Sequence, residues 1–253
     1  MKVTLIGSGN LATNLGHALK EAKVEILQIY SRTEANAKRL ATELCVEAYT
    51  AQISEINSLS DIYVVSVKDD ALKGVGKELR RVLPDQLIVH TAGSMPMDVL
   101  KGERRGVFYP MQTFSRQRIV PFAHIPVFLE SHREEDLKVL RTLAECLTDS
   151  VYVLSSEDRK WLHIAAVFCC NFTNHMAALS ARLLERHGIP FSTMLPLMEE
   201  TVRKLHELPP HEAQTGPAVR GDKEVMQRHL QALEEDLDIA QLYEMISKSI
   251  QHD

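Results

Sequence analysis

Gly7-Ser8-Gly9-Asn10-Leu11-Ala12 follows directly on the apolar run of residues 1–6 and opens a helical pattern at Leu11, Leu15, Ala18 and Leu19. A second apolar run, Glu25–Tyr30, comes next and ends in Ser31-Arg32-Thr33. Strand, glycine turn, helix and strand in this order form the layout of a dinucleotide site. Gly7 permits the tight turn, Gly9 lets the backbone approach a pyrophosphate, and the small Ala12 lets helix and strand pack closely. Backbone N–H groups at the helix start then face the phosphates, so Ser8, Asn10 and Leu11 join the expected cofactor set. The alternative is an ordinary strand-to-helix turn.

The end of the second strand speaks to the nucleotide. A site for NAD places Asp or Glu about 20 residues after the glycines, to hold the ribose 2′-hydroxyl. Here Tyr30 is followed by Ser31, Arg32 and Thr33. A carboxylate would repel a 2′-phosphate, whereas the planar fork of Arg32 matches its oxygens. NADP is therefore the expected cofactor. The other reading makes Arg32 a surface residue at the start of the next helix.

Alternating strand and helix signals continue to about residue 154, with further strands expected at 46–49, 61–67, 87–91, 106–109, 125–129 and 151–154. Several are almost wholly apolar, as strands buried on both faces are. Residues 133–147 give a helix, with Leu137, Leu140, Leu143, Ala144 and Leu147 on one side. Beyond Ser155 only helices are expected, at 157–187, 191–208, 223–233 and 238–250. Ser155 or Ser156 caps the first of them, Gly188 before Pro190 stops it, and Asp222 is an N-cap. The expectation is an α/β, doubly wound and mainly parallel sheet over residues 1–154, followed by an all-helical domain over 155–253. Residues 211–221 form one long irregular stretch, and such loops are often functional.

Length, composition and charge bound the rest. The chain has 253 residues, 45% of them hydrophobic and 25% charged, with a formal charge of −5. That balance argues against a general nucleic-acid surface. No run approaches the ~20 apolar residues of a membrane span, and the first strand leaves no room for a leader peptide. A cytoplasmic protein is expected. Cys45, Cys146, Cys169 and Cys170 lack metal-ligand spacing and read as reduced, small core residues; no metal site is expected.

Ligands of an open α/β sheet lie beyond the carboxyl ends of its strands. Val67 and Lys68 follow the fourth strand and are expected beside the nicotinamide ribose; Thr91, Ala92 and Gly93 follow the fifth, near the reacting face. Each is equally open to reading as a turn residue. On the long helix, Lys160, His163, Cys170, Asn171 and Asn174 share an arc of roughly 100° at α-helical spacing. Leu162, Ile164, Phe168, Phe172 and Met176 spread around it, so the helix reads as heavily buried, with its polar stripe lining a cleft. Asn171 and Asn174 would orient a substrate carbonyl or carboxylate, and Lys160 or His163 would manage the proton. A structural or solvated stripe is the alternative. In the irregular stretch, Thr215 and Arg220 are substrate candidates: a fixed Arg clamps an anionic group, or else pairs with Asp222.

Taken together, the opening fingerprint, His90-Thr91-Ala92-Gly93, Pro110-Met111-Gln112-Thr113-Phe114, the Asn171 helix and the loop Thr215-Gly216-Pro217-Ala218-Val219-Arg220-Gly221-Asp222 resemble the Rossmann-like proteins with a DUF2520 carboxy-terminal domain. That resemblance spans the chain. It implies an NADP-dependent oxidoreductase, similar in architecture to pyrroline-5-carboxylate reductase, coenzyme F420-dependent NADP oxidoreductases and the 6-phosphogluconate dehydrogenase group, with a helical domain that helps form a homodimer. Coenzyme F420 or flavin stays open as a second redox partner. Relatives commonly have His where this chain has Tyr109, whose phenol can still donate a hydrogen bond to substrate. The more distant dehydrogenases pair a Lys and an Asn four residues apart on the equivalent helix, and Lys160 and Asn171 do not match that spacing. The expected function is hydride transfer between nicotinamide and a small polar, anionic carbonyl, imine or alcohol. A non-catalytic NADP-binding sensor is the second reading, and an S-adenosylmethionine-dependent methyl transferase a weaker third.

Overall fold

The computed structural model describes residues 1–252. Eight strands form one sheet: β1 (Lys2–Ile6), β2 (Glu25–Tyr30), β3 (Tyr49–Thr50), β4 (Ile62–Val65), β5 (Ile88–His90), β6 (Arg105–Pro110), β7 (Val127–Ser131) and β8 (Val151–Val153). Their order is β3-β2-β1-β4-β5-β6-β7-β8. All neighbours are parallel except β6 and β7. Helices α1 (Asn10–Glu21), α2 (Glu34–Leu44), α3 (Asp69–Val82) and α4 (Glu134–Glu145) make the connections.

β4 shows why these strands are apolar throughout. Val64 belongs to one apolar cluster, with Val3, Leu5, Leu15, Leu40 and Leu140. Its neighbours Tyr63 and Val65 belong to another, with Ile6, Leu72, Leu79 and Ile88. Successive side chains point to opposite faces, and both faces are covered. The strand order reverses at β1, which lies between β2 and β4. Such a switch point opens a crevice at the carboxyl ends of the strands.

After β8 the chain is helical: α5 (Ser156–Ala166), a π-helical stretch (Val167–Phe172), α6 (Thr173–Glu185), α7 (Leu195–Lys204), the short α8 (Pro210–Ala213), α9 (Lys223–Ala232) and α10 (Leu237–His252). Ser155 caps α5 by accepting from the Asp158 N–H at 3.1 Å. Asp222 stands at the N-cap of α9, but its side chain makes no capping bond. Gly188 adopts φ +65°, as a helix stop requires. Two compact units result, Met1–Cys170 and the residues from Asn171 onward. The first unit thus extends past residue 154, where strand signals end, and takes in α5.

Two expectations are corrected. All four cysteines are exposed rather than in the core. Each lies at or beyond a helix end or on the π stretch, where the apolar sheet faces do not reach. The long helix is not heavily buried either, for Trp161 is 62% and Phe168 63% exposed, while on α5 Arg159 alone is fully buried. A helix apolar all round needs cover on every side, and α5 has it only along the Arg159 line. By length and composition alone, the span Ser156–Glu185, 30 residues with an 18-residue stretch of mean hydropathy 1.2, is long and apolar enough to cross a membrane. It holds no unbroken run of ~20 apolar residues, because His163, Asn171, Asn174 and His175 interrupt the series. In this fold its first turn is tied to the sheet by the ion pair of Arg159 with Glu130 on β7.

Candidate functional site

The opening turn is built to receive a dinucleotide. Gly7 has φ +126°, and a Cβ there would stand 2.1 Å from the Ser66 carbonyl oxygen, so no side chain fits. A Cβ on Gly9, the N-cap of α1, would meet nothing within 4 Å, so space lies open over the helix start. Ala12 is fully buried against the sheet, which keeps the helix close. Leu11 packs against the same core, so both act through backbone and shape. The hydroxyls of Ser8 and Ser31 bond each other at 2.8 Å, joining the turn to the end of β2. Next to them Arg32 is exposed, with no hydrogen bond or ion pair among the described residues. Thr33 is the N-cap of α2, and its hydroxyl accepts from Asn36 Nδ2 at 2.7 Å. These groups fit a phosphorylated ligand: an open helix start, two glycines and an uncommitted cation.

Two supports of this turn escaped sequence reasoning. Arg39, on α2, donates through Nη2 to the Ser8 carbonyl at 3.1 Å and pairs with Glu43. Asn14, fully buried, donates to the carbonyls of Asn10 and Ser115, both at 2.9 Å, and accepts from the Val120 N–H at 3.0 Å. Asn10 Nδ2 donates to the Phe114 carbonyl at 3.1 Å. The Asn10 side chain is thereby committed to the loop after β6, leaving its backbone for the expected cofactor role.

The loop after β5 is held from two sides. His90 is fully buried; its Nδ1 accepts from the Ala92 N–H at 3.2 Å, which leaves Nε2 to donate to the Pro96 carbonyl at 3.3 Å. Burial, and then the charge of Arg159, lower its pKa to about 4, so the ring is neutral. Across the loop, Arg159 donates through Nη2 to the Met95 carbonyl at 2.7 Å and through Nη1 to Glu130. Ser156 Oγ accepts from the Met97 N–H at 2.9 Å and donates to Glu130. Thr91 is buried, with its N–H on the Val65 carbonyl.

Against this loop stand Tyr109 and His163. Tyr109 Oη and His163 Nδ1 are 3.2 Å apart, and their rings meet edge to face. Gly93 fits only because it has no side chain: a Cβ would lie 2.6 Å from His163 Nδ1 and 2.9 Å from Tyr109 Oη. Burial pushes the Tyr109 phenol up, Arg159 draws it down, and Cys170 adds to the rise. Lys160, grouped with His163 by helical spacing, is exposed and lies 5.8 Å from the Trp161 ring centre. Val67 packs on the sheet core, and Lys68 is the exposed N-cap of α3. Asn171, Asn174, Thr215 and Arg220 belong to the second unit, where each is exposed. No ion pair joins Arg220 to Asp222 among the described residues. The π stretch Val167–Phe172 turns less per residue than an α-helix, so an arc drawn at 100° spacing does not hold across it. Arg159 and Glu130 were missed because an Arg-Lys pair in a first turn, and a Glu ending a strand, look like solvated charges.

Comparison with known proteins bears on the family and the fold. Residues 2–93 match the model for coenzyme F420-dependent NADP oxidoreductases, and residues 125–250 match DUF2520, a domain of unknown function. Among curated proteins, none matches. A Bacteroides fragilis structure described as a putative NADP oxidoreductase is 48% identical, covering 100% of this chain and 98% of its own, with a TM-score of 0.94. A Thermotoga maritima protein is 25% identical over 99% of this chain and 98% of its own, at 0.83. The 1-pyrroline-5-carboxylate reductase of Streptococcus pyogenes, 17% identical over 100% of this chain and 99% of its own, shares the fold at 0.67. The chain therefore belongs to the NADP oxidoreductase family that joins an F420-dependent-type nucleotide domain to a DUF2520 domain.

Proposed function

We propose that the protein is an NADP-dependent oxidoreductase acting on the C=O or C=N bond, or the corresponding alcohol or amine, of a small polar and anionic molecule. The observation that carries this is the uncommitted Arg32 beside the hydroxyl pair Ser8–Ser31 and the open start of α1. No carboxylate occupies the end of β2 to repel a 2′-phosphate. When bound, the nicotinamide supplies hydride chemistry; the protein binds, orients and handles protons. The fixed loop 91–97 lies at the carboxyl ends of the strands, where its rigidity costs no reorganisation during reaction. Asn171 and Asn174 are assigned to the substrate carbonyl, and Arg220 with Thr215 to its anionic group. The descriptions of the Bacteroides fragilis protein and of the matched amino-terminal family model carry the same redox chemistry.

Titration with NADPH and NADH, for the wild type and Arg32→Ala, tests the cofactor. Losing a charge-assisted bond of ~1.5–3 kcal/mol weakens NADPH by about 10- to 100-fold and leaves NADH unchanged. Equal binding of the two nucleotides, indifferent to Arg32, overturns the reading. A panel of carbonyls and imines, with F420 and flavin as alternative redox partners, tests the reaction; nucleotide binding without turnover would make this a sensor. Trp161, Leu197, Val202 and Met245 are exposed apolar residues and support a homodimer, checked by light scattering at low concentration.

A further inference from the structure

Tyr109 is the penultimate residue of β6, at the carboxyl edge of the parallel strands, where ligands of such sheets bind. The residue is only 8% exposed, its ring held between Phe128, at a centroid distance of 6.3 Å, and His163, at 6.2 Å. The neighbouring charges are few. Arg159 lies close enough to favour the phenolate but spends its Nη hydrogen bonds on Glu130, Met95 and Ser156. Cys170 acts in the opposite sense, and His163 is the direct partner. Lys160 is turned to Trp161. A buried acid at the ligand-binding edge, backed by an imidazole and overlooked by a fixed cation, is the arrangement general acid catalysis needs.

We propose that Tyr109 gives its phenolic proton to the reacting heteroatom of the substrate, that His163 replaces it, and that Arg159 is the positioning residue of the pair. This rests on the reductase reading above. For a C=X bond, with X oxygen or nitrogen, hydride would reach carbon from a bound dihydronicotinamide. The π electron pair moves onto X, which takes the proton as the Tyr109 O–H bond breaks. The phenolate then takes a proton from His163 Nδ1. Solvent supplies the imidazole with the proton it has passed on. One carbonyl or imine, one NADPH and one proton become one alcohol or amine and NADP.

The pair is read first without substrate, by NMR titration of His163 in the wild type and Tyr109→Phe. A shift of half a pH unit or more between them is expected; identical titrations overturn the coupling. With a turned-over substrate, Tyr109→Phe should lower kcat by about 10²-fold or more, the usual contribution of a positioned acid, with KM and NADPH affinity within threefold. Tyr109→His, which restores a donor, should recover part of kcat with an altered pH profile, and Arg159→Lys should move that profile while retaining the fold. Unchanged kcat in Tyr109→Phe overturns the proposal. If the wild type turns over nothing, the reductase reading falls and proton delivery with it, and a coupled NMR titration then marks the pair as structural.

Discussion

Arg159, in the first turn of α5, places its guanidinium on the backbone carbonyl of Met95, 64 residues earlier, at 2.7 Å. The same group pairs with Glu130, and it is 1% exposed. One side chain thus fixes the loop after β5, the end of β7 and the start of the long helix.

Removing one member of this pair strands the other charge. Arg159→Met should cost about 3–5 kcal/mol and lower the melting temperature by roughly 6 °C or more. Glu130→Gln should destabilise as well, and the double variant Arg159→Met with Glu130→Gln should recover part of the sum. Calorimetry of the four proteins decides this; strictly additive losses below about 1 kcal/mol would show that the pair does not hold the loop.

His90 gives stability a pH dependence of definite sign. Its folded pKa is about 4, below the unfolded value near 6.5, so the unfolded chain binds the extra proton between these limits. Stability is unaffected by this group above pH 6.5 and falls as pH drops towards 4, by roughly 3 kcal/mol over the window. Urea unfolding of wild type and His90→Gln at intervals from pH 7 to 4 isolates the effect from the carboxylates. The wild type should show the steeper fall, and parallel curves would refute the assignment.

Asn14 is the pin of the loop after β6. Asn14→Ala leaves the Ser115 carbonyl and Val120 N–H without partners, at about 1–3 kcal/mol for a buried group so stranded. Hydrogen exchange should accelerate at residues 114–120 by tenfold or more, while the sheet exchanges as before. Unaltered protection there would mean that other contacts hold the loop.

How far the sequence could be read follows from the range of the forces involved. The turn at Gly7 and Gly9 is legible because a positive φ and a strand-to-helix junction are local demands that only a few residues meet. The parallel sheet is legible because burial on both faces leaves unbroken apolar runs. Helical spacing put His163 with Lys160, but a spacing argument cannot see the Trp161 ring that Lys160 lies against or the π stretch that ends the α-helical phase.

By itself, then, the chain determined its nucleotide turn, its strand-and-helix alternation and the cation at Arg32, since each is written within a few neighbouring residues. Only the tertiary structure decided that Tyr109 meets His163 across 54 residues, against a glycine that leaves room for both. It alone buried Arg159 and exposed the four cysteines. Burial and pairing between distant segments depend on how the sheet brings strand ends together, and no local pattern encodes that.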